Sequence, residues 1–428
     1  MRRMFWLMIV LALLSLPSLA SAQDIIGPQV YPPGINPLTG LPVPNPEILN
    51  RRPMGVKVSN SPAIVRPQYG LNSADIVWEH LLEGGVTRFT AFFLSEDVPR
   101  VGPIRSARLV DIPLAHIYGS FLAYSGMSTG TLDSMRADPV MISRLIDNRS
   151  CPPMCRIPRE GVAFEHTLFG ETAGMYVQAQ QVGRNTTPDL VSGMAFSELP
   201  PSGGVSLNAL NVIYRNAETG WEYDPFSGRW LRSQNGEEHF DALSGSRISA
   251  ANVAIVEANH IEQPFTYDGY WGNGNFAYAA DLIGSGRLYL LRDGQYFTGQ
   301  WRRSGPFAPL TFVDANGVPL PFKPGNTFFN LVPRWVDGYQ LEFFLSNAPN
   351  GNITVNNANL RTGPGQAYRN PTVAQAGASF PVIGRNNVGD WVQVLLPDDS
   401  TLWVSTSIIS LNGFDALTLP ISRPSNER

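Results

Sequence analysis

Apolar and polar positions change period several times along residues 53–136. Gly55-Val56-Lys57-Val58 alternates as a short strand. Between Asn72 and Glu83, Ala74, Val77, Trp78 and Leu81 fall at i, i+3, i+4 and i+7, which predicts an amphipathic helix. Asn72 or Ser73 is a suitable N-cap, and Gly84-Gly85 supplies the stop, where positive φ is cheap. Residues 88–94 (RFTAFFL) read as a buried strand, and Ser106 to Tyr118 as a helix that must bend or end near Pro113. Residues 121–125 (FLAYS) are a further strand, and Thr131 to Arg136 opens another helix. Strand alternating with helix predicts a layered α/β unit over residues 53–198. In such sheets ligands sit at the carboxyl ends of the strands, here on the loops Ser95 to Arg105 and Gly126 to Gly130.

From Val205 the period becomes two. LNVIY, WEYD, GRWLR, NVAIVEA, RLYLLRDG and NTFFNLVP are short strands, and residues 224–228 and 314–317 carry hairpin-turn chemistry. This predicts a mostly antiparallel β unit over 199–348. A break rich in Asn, Pro and Gly then leads to a small β module over 349–412, followed by a tail to 428. Ahead of the first unit, residues 23–52 read as an extended Pro/Gly-rich leader without packing of its own. Thr186 to Gly204 reads as a linker. The expected class is α+β, multidomain.

At 428 residues the chain is long enough for two or three domains, and its 43% hydrophobic content suffices for real cores. A net charge of −4 leaves no basic footprint for nucleic acid. The N-terminus changes the picture more. Arg2-Arg3, an apolar run and Ala20-Ser21-Ala22 form an export signal over residues 1–22, too short to span a bilayer comfortably. Its alternative is a retained anchor. No Cys lies near the cleavage site to carry a lipid, and no later segment is apolar enough to cross a membrane. The protein is therefore expected outside the cytoplasm. There Cys151 and Cys155, the only cysteines, form a local disulfide rather than a metal site. No cofactor is called for.

The module over residues 353–409 resembles the bacterial SH3 domain. The resemblance is carried by Ala358-Asn359-Leu360-Arg361-Thr362-Gly363-Pro364-Gly365, Tyr368, Gly377, Trp391-Val392-Gln393-Val394 and Leu402-Trp403-Val404. It implies a small β-barrel that binds cell-wall peptides, with peptidoglycan or another wall component as the partner. Residues 36–333 resemble the YerB-like family of bacterial lipoproteins, a two-part domain of unassigned function. The matching pieces are NPLTGLPV (36–43), VRPQYGL (65–71), ADIVWEHLLEGGVTRF (74–89) and GPIRSAR (102–108), with looser matches at Glu238-His239-Phe240-Asp241 and Gly299-Gln300-Trp301. The resemblance supplies no reaction.

Three groups of residues could carry chemistry. On the predicted helix Asp75, Glu79 and Glu83 line one face, and Arg66, Arg88, Arg105 and Arg108 flank it, which predicts one cleft where acids and guanidiniums meet. That cleft is an anion site, a carboxylate-held cation site or a structural ion-pair network. Gly126-Met127-Ser128-Thr129-Gly130 between strand and helix has the form of a nucleophile elbow, with Ser128 as nucleophile and His166 as base; the residue types favour an ordinary turn with Ser128 as N-cap. His239 and Asp241, two residues apart on a strand, share a face for ligand or acid/base work, or make an edge hydrogen bond. His80, His116 and His260 read as structural. Trp221, Trp230, Trp271 and Trp301 read as core or as a sugar-stacking surface. The favoured expectation is an envelope protein that binds an anionic or wall-derived ligand, and the alternative is a wall-active hydrolase.

Overall fold

The computed structural model describes residues 25–147, 150–186, 192–264, 276–334, 339–346, 348–397 and 400–422. The predicted export signal and Trp271 lie outside the described residues. The chain is mostly β and folds into several sheets. Strand β1 (Met54–Ser59) lies between β3 (Thr87–Phe93), antiparallel, and β4 (Phe121–Ala123), parallel. Strand β2 (Ile76–Leu81) pairs antiparallel with β3 on one side and parallel with Thr327–Pro333 on the other. Thr327–Pro333 runs parallel to Asn252–Pro264, which pairs with Gly284–Arg292. One sheet thus passes from the front half of the chain into the back half through β2.

The acidic helix predicted over residues 72–83 is therefore wrong: it is strand β2. Val77 enters a core with Val56 and Phe89, while Trp78 enters the opposite core, stacked on Phe329 at 4.4 Å. Trp78 Nε1 also donates to Tyr118 Oη at 2.9 Å. Every residue of β2 is buried. A strand covered on both faces reads as a near-continuous apolar run, so the spacing that suggested a helical stripe was a subset of that run. The β-branched pair Ile76-Val77 followed by Trp78 favours the pleated form. Asn72 caps no helix. Its side chain instead accepts from Ser249 N and donates to Ser244 and Ser246 in the back half.

The second helix also begins later than predicted. Helix α1 spans Asp111–Tyr118 and ends at Gly119, which takes the left-handed conformation. Pro113 sits in its first turn, where the missing N–H removes no intrahelical bond. Helix α2 spans Thr129–Ala137 and α3 Thr172–Gln181. The leader is packed rather than loose. Asn36 and Leu38 are fully buried, and Ile26 pairs with Phe196, which pairs in turn with Phe322. Residues 192–197 of the predicted linker are buried by the same contacts. The turns at 224–228 and 314–317 join antiparallel neighbours as the sequence implied.

The C-terminal module is a five-stranded sheet ordered 401–405, 391–395, 379–385, 350–353 and 409–410, with a small hairpin of 358–360 on 372–374. Its opening motif has a steric reason. The Tyr368 ring lies where any side chain on Gly363 would sit, and a Cβ there would meet it at 2.3 Å. Trp403 is 1% exposed, and Ala416 and Leu419 from the tail close the module's core.

Candidate functional site: an arginine cluster at the exit of the front sheet

The segment 102–108 runs across the ends of β1 and β4. Arg105 N donates to Lys57 O at 2.9 Å, Ser125 N donates to Arg105 O at 2.9 Å, and Ala107 N donates to Gly126 O at 3.0 Å. Ser106 Oγ donates to Ser125 O at 3.2 Å. The two loops singled out from the sequence therefore meet at this point. Arg88 projects from β3 beneath them. It is 6% exposed and donates through Nη1 to Ser106 O at 3.0 Å. Arg105 Nη1 donates to Glu165 O at 3.1 Å, and Arg108 Nε pairs with Glu83 Oε2 at 3.0 Å. His166 joins them, 7% exposed.

This cluster has more positive charge than its neighbours answer. Arg88 Nε, Arg105 Nε and His166 Nδ1 are buried with no hydrogen-bond partner among the described residues. Burial first, then the charges of Arg108 and Arg105, lower the Arg88 pKa to about 9 against the pull of Glu83 and Asp111. Burial likewise lowers Arg105 and His166, and the charge of Arg105 is the next cause at His166. Cations that disfavour one another's charged forms leave a place for an anion.

The carboxylates predicted for this cleft are mostly elsewhere. Asp75 accepts from Leu94 N at 2.5 Å, Ser95 N at 3.0 Å and Asn36 Nδ2 at 3.1 Å, and from Ser95 Oγ. It is buried and pairs with no arginine among the described residues; burial raises its pKa against those hydrogen bonds. Glu79 is fully buried and pairs with Arg232 Nη2 at 2.8 Å, both side chains at 0% exposure. Its oxygens also accept from Thr87 at 2.7 Å, Thr219 at 2.9 Å and Asn330 at 2.9 Å. Arg232 in turn contacts His239 Nδ1, and His239 Nε2 lies 2.6 Å from Gln68 Oε1. Only Glu83 meets the arginine cluster.

His239 and Asp241 are both inward-facing, as their spacing implied, but they do separate work. Asp241 accepts from Asn72 N, Leu243 N and Ser244 N and holds a turn. Arg66 is half-buried, apart from the cluster, and burial lowers its pKa. Ser128 is the N-cap of α2. Its Oγ accepts from Thr131 N at 3.2 Å and donates to Thr131 Oγ1 at 2.9 Å, and it bonds to no histidine among the described residues. Trp221, Trp230 and Trp301 are core residues, 1% exposed or less. Cys151 and Cys155 form a disulfide in the segment leading to His166.

Two features escaped the sequence reading. Beneath Arg88 and Arg108, Lys57 Nζ donates to Asp111 Oδ1 at 2.7 Å and Thr90 Oγ1 at 2.9 Å, and lies 2.5 Å from His80 Nε2. Arg108 N donates to Asp111 Oδ2 at 2.6 Å, tying the cluster to this buried charge. Burial lowers the Lys57 pKa to about 8 against the pull of Asp111. The signal was a lone lysine in an apolar strand, GVKVS. The other feature is Arg232, an arginine set between apolar neighbours in RWLRS.

A β body in two halves, fused at β2 and followed by an SH3-type module, defines a class of protein whose body has no assigned activity. Models described as Protein of unknown function (DUF3048) N-terminal domain, the DUF3048 C-terminal domain and Bacterial SH3 domain match residues 38–185, 210–329 and 356–410. The chain belongs to the DUF3048 family, the YerB-like family its motifs resemble. Among its relatives is Putative lipoprotein YerB of Bacillus subtilis strain 168. It is 30% identical over 317 residues, covering 69% of this chain and 86% of the relative. The crystal structure of YerB protein from Bacillus subtilis matches with a TM-score of 0.57 at 26% identity, covering 69% of this chain and 96% of that one. No helix among the described residues is long and apolar enough to cross a membrane.

Proposed function

We propose that this is an exported envelope protein whose body binds an anionic, wall-derived ligand at Arg88, Arg105, Arg108 and His166. Its SH3 module, residues 349–412, holds it at the cell wall. Residues 53–198 serve as the layered α/β scaffold that presents the site, and residues 1–22 as the export signal. The carrying observation is the pair of buried donors at Arg88 Nε and Arg105 Nε, with His166 Nδ1 beside them, none of which has a hydrogen-bond partner among the described residues. Buried donors of this kind are costly unless something accepts from them, and an oxyanion accepts from several at once. A phosphate or carboxylate set among them offsets the mutual repulsion of the three guanidiniums, which Glu83, Asp111 and Glu165 answer in part. Ser128 is engaged as a helix cap, so the geometry favours binding over hydrolysis.

Calorimetric titration of the protein with inorganic phosphate and with citrate tests the site. Saturable binding is expected, and Arg105→Ala should weaken it about 10- to 100-fold, the loss of one charge-assisted hydrogen bond at roughly 1.5–3 kcal/mol. An Arg105→Ala protein that binds as well as the parent would defeat the reading. Sedimentation with purified wall material, with and without residues 349–428, tests the targeting role separately.

A further inference from the structure

A second pocket opens on the other side of β2 from the arginine cluster, where the two halves of the body meet. It has a volume of about 290 Å³ and is lined by Arg66 and Pro67 from the front half and by Gln234, Glu237, Glu238, His239 and Phe240 from the back half. Its floor is spoken for. His239 is 2% exposed and held by Gln68 and Arg232, and Gln234 accepts from Asn60 Nδ2 at 2.7 Å and from Arg232 Nη2 at 2.8 Å. Its rim is not. The Arg66 side chain makes no hydrogen bond or ion pair among the described residues, and neither does that of Glu237; their bonds are through the backbone. The neighbouring Glu238 is engaged by Arg247 at 3.2 Å.

Of the three charged side chains lining this small pocket, Glu238 is answered by Arg247, which leaves Arg66 and Glu237 as opposite charges that do not bridge each other. A flexible arginine and an exposed glutamate within reach gain about 0–1 kcal/mol by pairing, so leaving them apart costs little and preserves a gap with a positive and a negative end. Pro67 and Phe240, the latter 43% exposed, give the gap an apolar wall. A small volume, an apolar lining and a few convergent polar groups are the features of a small-molecule site, at the lower end of the usual size of roughly 300–1,000 Å³.

We propose that this pocket binds a small zwitterion, a free amino acid or dipeptide with both ends uncapped, its carboxylate on Arg66 and its ammonium on Glu237. Planar guanidinium matches carboxylate two-to-two, and the glutamate accepts from the ammonium. The apolar wall takes a short side chain. The site is independent of the arginine cluster: it is built from different residues and recognises a molecule with no net charge. Because its walls come from both halves, an occupant also ties them together.

The test is calorimetry on the full chain with alanyl-alanine, its N-acetylated form and its C-amidated form. The free dipeptide should bind saturably, and capping either end should weaken it at least about tenfold, the loss of one charge-assisted contact. Arg66→Gln should abolish the preference over the amide, and Glu237→Gln the preference over the acetylated form. Both side chains are partly or wholly exposed and unpaired, so both variants should keep the parent Tm. Arg105→Ala should leave dipeptide binding unchanged, which separates this site from the anion site. Absence of saturable binding, equal binding of the capped forms, or preferences unmoved in both variants would overturn the proposal.

Discussion

Two arginines in adjoining parts of the body are buried to a similar degree and live in opposite circumstances. Arg232 faces Glu79 at 2.8 Å, with Thr219 and Gln234 accepting from the same nitrogen and the Phe89 ring 5.0 Å from its guanidinium carbon. Arg88 has a carbonyl at 3.0 Å, two guanidiniums that depress its charge, and a buried Nε without a partner. Arg232 Nε also lacks a partner, but its charge is answered by Glu79 in a network that joins the front and back halves. Arg88, in the open cluster, has no carboxylate paired with it among the described residues and sits among like charges. Neither burial nor a partnerless Nε distinguishes the two; the difference lies in whether the chain supplies a counter-charge.

The comparison breaks most visibly by removing one partner from each side. Glu79→Ala leaves Arg232 charged in a dry interior and should cost about 3–5 kcal/mol, as single deletions from buried ion pairs do. Arg88→Met removes a buried cation that has no carboxylate of its own, and should change stability by less than about 1 kcal/mol in ligand-free protein. Urea denaturation of the two variants reads the contrast directly. Equal losses would mean that Arg88 is as fully answered as Arg232, and that the cluster is structural.

Acid sharpens the same contrast. Burial holds His80 and His239 well below the ordinary imidazole range and His260 at about 4. A group whose folded pKa is depressed stabilises fully above its unfolded pKa of about 6.5, and that contribution is lost as pH falls toward the folded value. For His260 alone the loss between pH 7 and pH 5 should be about 2 kcal/mol, so the pH 7 to 5 difference in unfolding free energy should shrink by that amount in His260→Leu. In the open cluster acid should do the reverse. His166, lowered by burial and by Arg105, gains a proton more readily once an anion is bound. Sulfate, which keeps its charge over this range, should therefore bind several-fold tighter at pH 5 than at pH 7. Unchanged sulfate affinity would remove His166 from the site.

How much of this was legible follows from which signals are local. The strands of the back half, the SH3 module and the loops around Arg105 and Gly126 were readable because period-two alternation and turn residues act over a few positions. The strand β2 was misread because both its faces are covered, which erases alternation and leaves a helical subset of apolar positions by chance. That one error moved Asp75 and Glu79 onto a common face with Glu83 and placed them in the cluster. Their true partners, Asn36 and Ser95 for Asp75 and Arg232 for Glu79, include residues up to 153 positions away. No spacing rule reaches that far. The arginines survived the error because Arg105 and Arg108 are placed by their own loop, whatever β2 becomes.

The smallest effect concerns the helix next to the cluster, and it bears on whether any reaction occurs there. Ser128 accepts from Thr131 N at the start of α2, so Ser128→Ala should cost about 1 kcal/mol, the usual loss of a helix N-cap. Ser128→Asp restores an acceptor at the same position and should recover most of it, and the added carboxylate suits a helix N-terminus. Neither change should abolish phosphate binding at Arg88, Arg105 and His166, because the hydroxyl already bonds to Thr131 rather than facing a base. A nucleophile would behave otherwise: Ser128→Asp would be as inactive as Ser128→Ala toward wall fragments while folding as well as the parent. Recovery of stability without any hydrolysis to lose marks the turn as architecture beside a binding site. A parent protein that cleaves wall fragments, and a Ser128→Asp variant that does not, would turn the open cluster from a binding site into the anion-stabilising half of an active centre.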